Sequence, residues 1–82
     1  MERNEIITGI RKILIEVLKH ENFEMKDDAS AVDIDGWDSL SHMIIITEIE
    51  KAFNVKFKLK ELNKLNNMGN LIELVNSKLE QG

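Results

Sequence analysis

The chain has no cysteine and no proline. Lack of cysteine excludes disulfides, thiolate metal sites and cysteine nucleophiles, so a thiol would have to come from outside the polypeptide. Aromatic residues are few, namely Phe23, Phe53, Phe57 and Trp37. Apolar mass comes instead from Ile, Leu, Val and Met, and with only 4 glycines this composition suits helices better than a small sandwich or barrel. No apolar run is long enough to cross a bilayer. The start, Met1-Glu2-Arg3-Asn4-Glu5, lacks the basic-then-apolar layout of a signal peptide, so the cytoplasm is the expected compartment. Positive charge is also in deficit: a net charge of −4 repels nucleic acid and mildly favours partners with basic surfaces.

What is present is a chain of 82 residues with a hydrophobic fraction of 43%, expected to form one domain over residues 1–82 with a modest core. From about Asn4 to Lys19, the residues Ile6, Ile7, Ile10, Ile13, Leu14, Val17 and Leu18 recur at helical spacing. Gly9 interrupts this pattern at a cost of about 1 kcal/mol relative to Ala. Periodicity then disappears from His20 to Trp37. Phe23, Met25, Ala29, Val32 and Ile34 are spaced through this stretch as pegs for a long loop, with a short helical turn expected around Ala29 to Val32.

A second helix begins sharply, with Asp38 as its N-cap and Gly36 allowing a tight turn before it. Its expected buried stripe is Leu40, Met43, Ile45, Ile46, Ile49, Ala52 and Phe53, and Asn54 marks its end. The alternating segment Val55-Lys56-Phe57-Lys58 resembles a strand, but an isolated strand would have nothing to pair with. A short third helix at about Leu59 to Leu65 is more economical. Asn66 and Asn67 break the chain, and Met68, Leu71, Ile72, Val75 and Leu79 form the last amphipathic stripe, with Glu80, Gln81 and Gly82 expected to fray. The fold expected is all-α: three main helices, one short helix and a long first loop.

The motif that carries chemistry is Gly36-Trp37-Asp38-Ser39-Leu40, where the loop becomes the second helix. It places the Ser39 hydroxyl in the first turn, facing solvent beside the unpaired backbone donors of the helix start. Leu40 is expected to turn inward and anchor that turn. An Asp-Ser start is by itself a common helix opening, and Ser39 could be only a capping residue. Its position after a long loop and before a strongly apolar helix, mid-chain in an acidic protein without cysteine, changes that balance.

The segment "DIDGWDSLSHMIIITEIEKAF" resembles the attachment segment of the acyl and peptidyl carrier protein family, and the similarity extends in element order over nearly the whole chain. The resemblance implies a right-handed bundle in which Ser39 receives 4′-phosphopantetheine from coenzyme A through a separate magnesium-dependent phosphopantetheinyl transferase. Asp38 matches the family's aspartate beside the modified serine and could help hold that magnesium. The arm would supply the thiol that the chain lacks, carrying acyl or aminoacyl groups as thioesters, while bond chemistry belongs to partner enzymes. Those partners would be the transferase, an acyl- or aminoacyl-loading ligase, and acyltransferase or condensing enzymes. The carrier itself would be a monomer without a catalytic site.

The partner surface is expected on the second helix, at Leu40, Ser41, Ile44, Thr47, Glu48 and Lys51. Ile44 lies away from the main stripe, and either packs under the short helix or is an exposed apolar contact. Fatty-acid carriers are more acidic here and after Phe53, where this chain has Lys56, Lys58, Lys60 and Lys64. These lysines point to a carrier dedicated to a saccharide, lipid, peptide or polyketide pathway, although a charge run is more often a solvated face. Trp37 is expected to pack against the loop and the second helix.

His20 and His42 lack the partners that a metal site or an acid–base pair would need. The rival reading from another class is an unmodified helical adaptor with the same fold. An independent small enzyme lacks any constellation of acid, base and nucleophile, and a nucleic-acid-binding domain is disfavoured by charge.

Overall fold

The computed structural model describes residues 2–81, with only the backbone of Gln81. Four helices run in order, α1 at Arg3–Leu18, α2 at Ser39–Phe53, α3 at Leu59–Leu62 and α4 at Met68–Gln81. A single 3-10 turn at Ala31–Asp33 interrupts the long loop, and no strand occurs among the described residues.

Helix α1 opens with the Glu2 amide donating to the Glu5 carboxylate at 3.3 Å. It closes where Lys19 turns left-handed at φ 66° and its N–H reaches the Ile15 carbonyl at 2.9 Å. Its apolar stripe buries Ile6, Ile10, Ile13 and Leu14, as the spacing requires. Against it pack both α2, through Ile45, Ile46, Ile49 and Phe53, and α4, through Met68, Leu71, Ile72 and Val75. These residues and Ile34 form one continuous apolar core.

Gly9 sits where α1 meets α2: a Cβ there would lie 2.7 Å from Phe53 Cζ. The helix tolerates its least favourable ordinary residue because the facing ring occupies the space a side chain would need.

The long loop is pinned at both ends. Ile34 is buried, Phe23, Met25 and Ala29 lie against the core, and the loop carbonyls of Ala29 and Asp27 accept the N–H groups of Met68 and Gly69 at 2.7 and 2.9 Å. The loop therefore satisfies orphan donors of the first turn of α4. Asn67 also caps α4, its side chain accepting from the Asn70 amide at 2.8 Å. Val32, expected as a peg, is instead 93% exposed, because the 3-10 turn rotates it outward while Ile34 goes in.

Helix α2 ends at Asn54, left-handed at φ 54°, as the sequence indicates. The next segment forms no strand and pairs with no other segment among the described residues. Its period-two alternation places Val55 and Phe57 against the core and leaves Lys56 and Lys58 in solvent. The Phe57 amide is satisfied by the Glu50 carboxylate at 2.9 Å. Helix α3 is shorter than its pattern predicts. After Leu62 the chain tightens into bonds from Lys64 to Glu61 and from Leu65 to Leu62. Glu61 and Lys78 join α3 to α4 through a largely sheltered pair at 2.8 Å. Helix α4 continues through Gln81 where fraying is expected, and Gly82 lies outside the described residues.

Candidate functional site at the start of helix α2

Gly36 takes φ +86°, a left-handed conformation that sends the chain sharply from the loop into α2. Asp38 follows as N-cap, its carboxylate accepting the Ser41 amide at 2.9 Å, while the Asp38 amide donates to Ser41 Oγ at 2.8 Å. This reciprocal box is completed by Ser41 Oγ donating to the Gly36 carbonyl at 2.7 Å. The Ser41 amide, foremost among its contacts, holds the Asp38 carboxyl below the usual carboxylate range.

The lock leaves Ser39 apart. It is the first residue of α2, it is exposed, and among the described residues its hydroxyl takes part in no hydrogen bond. Beside it runs an open groove walled by Ala31, Trp37, Asp38, Ser39, His42 and Met43. Trp37 is half-buried as expected, and its indole Nε1–H donates to His42 Nδ1 at 3.1 Å. His20 is engaged within the loop, through the Asp35 carbonyl at 2.6 Å and the Asn22 amide at 3.0 Å. Among the described residues, no group of three or more His, Cys, Asp or Glu side chains is placed to hold a metal ion.

Several expectations about α2 need correction. Leu40 does not anchor the first turn. It is 74% exposed, and Met43 and Ala52 also lie on the solvent side. The sharp entry through Gly36 fixes the helix rotation so that Ile45, Ile46, Ile49 and Phe53 fill the inward stripe, and Leu40 falls outside it. Ile44 is exposed at 44% rather than packed under the short helix. Thr47 faces solvent with its hydroxyl donating to the Met43 carbonyl at 2.8 Å, and Lys51 lies 3.9 Å from Glu48. Leu40, Ile44, Thr47, Glu48 and Lys51 thus sit on an accessible surface, whereas the Ser41 hydroxyl is committed to the cap. The role of Ser41 was readable in the Asp-x-x-Ser spacing, which places a hydroxyl at the third helical position.

The geometry fits a covalent group on Ser39: a free hydroxyl, a rigid turn behind it and an open groove alongside. Residues 8–75 match the family model for the phosphopantetheine attachment site. The chain belongs to this phosphopantetheine-attachment family.

Its prosthetic group is 4′-phosphopantetheine, and its function is that of an acyl carrier, a domain type that is not catalytic by itself. The carrier is 39% identical to the holo acyl carrier protein of Geobacter metallireducens, whose solution structure it matches with a TM-score of 0.86 over 93% of this chain and 87% of that one. It is 27% identical to the acyl carrier protein of Thermotoga maritima over 94% of this chain and 95% of the relative. It is also 29% identical to part of the non-reducing polyketide synthase pkdA of Emericella nidulans, covering 93% of this chain but 3% of that synthase. The family resemblance and the all-α carrier bundle expected from sequence are both borne out. No helix among the described residues is long and apolar enough to cross a membrane.

Proposed function

We propose that Ser39 is the residue that bears the arm. The observation that carries this reading is the division of labour in the first turn: Ser41 is bound into the cap, while Ser39 Oγ is exposed and uncommitted. In the modification, Ser39 Oγ attacks the phosphorus of coenzyme A that bears the pantetheine. It displaces adenosine 3′,5′-bisphosphate, and its proton passes to a base of the transferase. Asp38 stays ionised beside it and is suited to contact the magnesium ion of that reaction. The bound group supplies a thiol on a flexible tether, on which acyl or aminoacyl groups travel as thioesters.

The protein's own part is to hold Ser39 rigidly and to present the exposed Leu40, Met43, Ile44, Thr47 and Lys51, with the half-buried Glu48, to partner enzymes. Those partners are a phosphopantetheinyl transferase, a loading ligase, and acyltransferase or condensing enzymes, each visited transiently by a single monomeric carrier domain in the cytoplasm. Lys56, Lys58, Lys60 and Lys64 are exposed and enter no ion pair among the described residues. They support a carrier dedicated to a saccharide, lipid, peptide or polyketide pathway over one serving general fatty-acid synthesis.

Coexpression with a broad-specificity phosphopantetheinyl transferase, followed by intact-mass measurement, tests the Ser39 reading. The chain is expected to gain the mass of one phosphopantetheine, and Ser39→Ala to gain none. A chain left unmodified under these conditions would favour the adaptor.

A further inference from the structure

We infer that Trp37 and His42 form a seat for the first part of the arm, with His42 Nε2–H donating to the phosphodiester and the apolar groove walls receiving the gem-dimethyl carbon that follows it. This inference rests on Ser39 being the attachment point.

The tautomer of His42 follows from its neighbour. An indole Nε1–H is a donor only, so the 3.1 Å contact with His42 Nδ1 runs from Trp37 to His42. Nδ1 must then be unprotonated, and the neutral ring carries its proton on Nε2. The two rings lie side by side, with centroids 6.1 Å apart and planes 27° from parallel. Trp37 thus fixes both the orientation of the imidazole and the nitrogen that keeps a hydrogen. Among the described residues that Nε2–H has no hydrogen-bond partner.

Placement brings this donor to Ser39. His42 lies three residues after Ser39, which puts both on one face of α2. Together with Trp37 they line the same groove. The charged group there is Asp38, which accepts from the Ser41 amide and repels an anion on Ser39. A donor on the opposite side would offset that repulsion. The remaining walls, Ala31, Met43 and the Trp37 ring, are apolar. A phosphodiester followed by a gem-dimethyl carbon has this same order, an anion and then a branched hydrocarbon. Behind the groove, Trp37 and His42 also wall a small gap reaching Leu65, Met68 and Leu71, so the paired rings separate the groove from the core.

The test compares 15N-labelled apo and holo protein, with conversion by coenzyme A and a broad-specificity transferase checked by intact mass. Long-range proton–nitrogen spectra of the apo protein should show His42 protonated on Nε2. On conversion, the His42 Nε2 and Trp37 Nε1 resonances should shift, and nuclear Overhauser contacts should appear between these rings and the arm's methyl groups. His42→Phe keeps a ring in the groove and should still gain the full mass, but should change the 31P shift and lose the contacts. Trp37→Phe should release the tautomer, giving a fraction of His42 protonated on Nδ1. Unchanged His42 and Trp37 resonances with no ring–methyl contacts, in protein shown by mass to be fully modified, would overturn the seat alone. A chain that never gains the mass overturns the Ser39 reading and the seat together.

Discussion

At the first turn of α2, Asp38 and Ser41 hold each other's backbone, and the consequence is a stability that depends on pH. The folded Asp38 carboxyl is depressed, chiefly by the Ser41 amide; Glu61 is depressed likewise, first by the Lys78 ammonium. A group whose folded value is lowered contributes stability that is fully present above its unfolded value. That contribution is lost as pH falls through the lower folded value. Unfolding midpoints should therefore drop as pH falls below about 4, where unfolded carboxyls protonate first. Asp38→Asn should flatten that drop, because its amide can still cap the turn but has no charge to lose. Equal acid sensitivity in the variant and the parent, measured by thermal unfolding from about pH 6 to about pH 2.5, would contradict this assignment. Leu40 marks the limit of sequence reading at this scale. An exposed leucine and a buried one both satisfy apolar spacing, and only the rotation of the helix separates them.

At the scale of elements, the packing of α1 on α2 turns on Gly9. Helix propensity alone predicts that Gly9→Ala stabilises α1 by about 1 kcal/mol. The new methyl would instead meet the Phe53 ring at 2.7 Å, and overpacking of this kind costs about 1–3 kcal/mol. Gly9→Ala is therefore expected to lower the denaturant midpoint, and Gly9→Ala combined with Phe53→Leu to be less than additive. An Ala variant more stable than the parent would contradict the close approach.

The four helices, the cap at Asp38 and the end at Asn54 were legible, because apolar periodicity and capping chemistry are local. The outward rotation of Val32, the early end of α3, the Glu61–Lys78 pair and the loop carbonyls that cap α4 were not. Each depends on which segments meet across the fold, and spacing along the chain carries no record of that. At the site, the solvent-facing position of Ser39 and the cap at Asp38 were readable from the motif, whereas the bond between Trp37 and His42 depends on how the ring orients once the loop is packed.

For the whole molecule, charge is unevenly spread. The net charge is −4, yet residues 56–64 present four exposed lysines, while Glu50 and Glu61 in the same region are engaged by the Phe57 and Lys58 amides and by Lys78. A basic docking patch on a partner would be repelled there, and repulsion acts mainly on association rate. Loading and elongation by fatty-acid synthase enzymes should be slow. Changing Lys56, Lys58, Lys60 and Lys64 to Glu should raise the rate roughly tenfold or more at low salt. Efficient loading of the parent chain would contradict a dedicated pathway.

For the proposed attachment at Ser39, the most direct measurement is fragment-ion mapping of the phosphopantetheine in the modified chain. The neighbouring Ser41 is the internal control, since its oxygen is held between the Gly36 carbonyl and the Asp38 amide. The expected result places the group on Ser39 alone. A group mapped to Ser41, or to any other residue, would contradict the account.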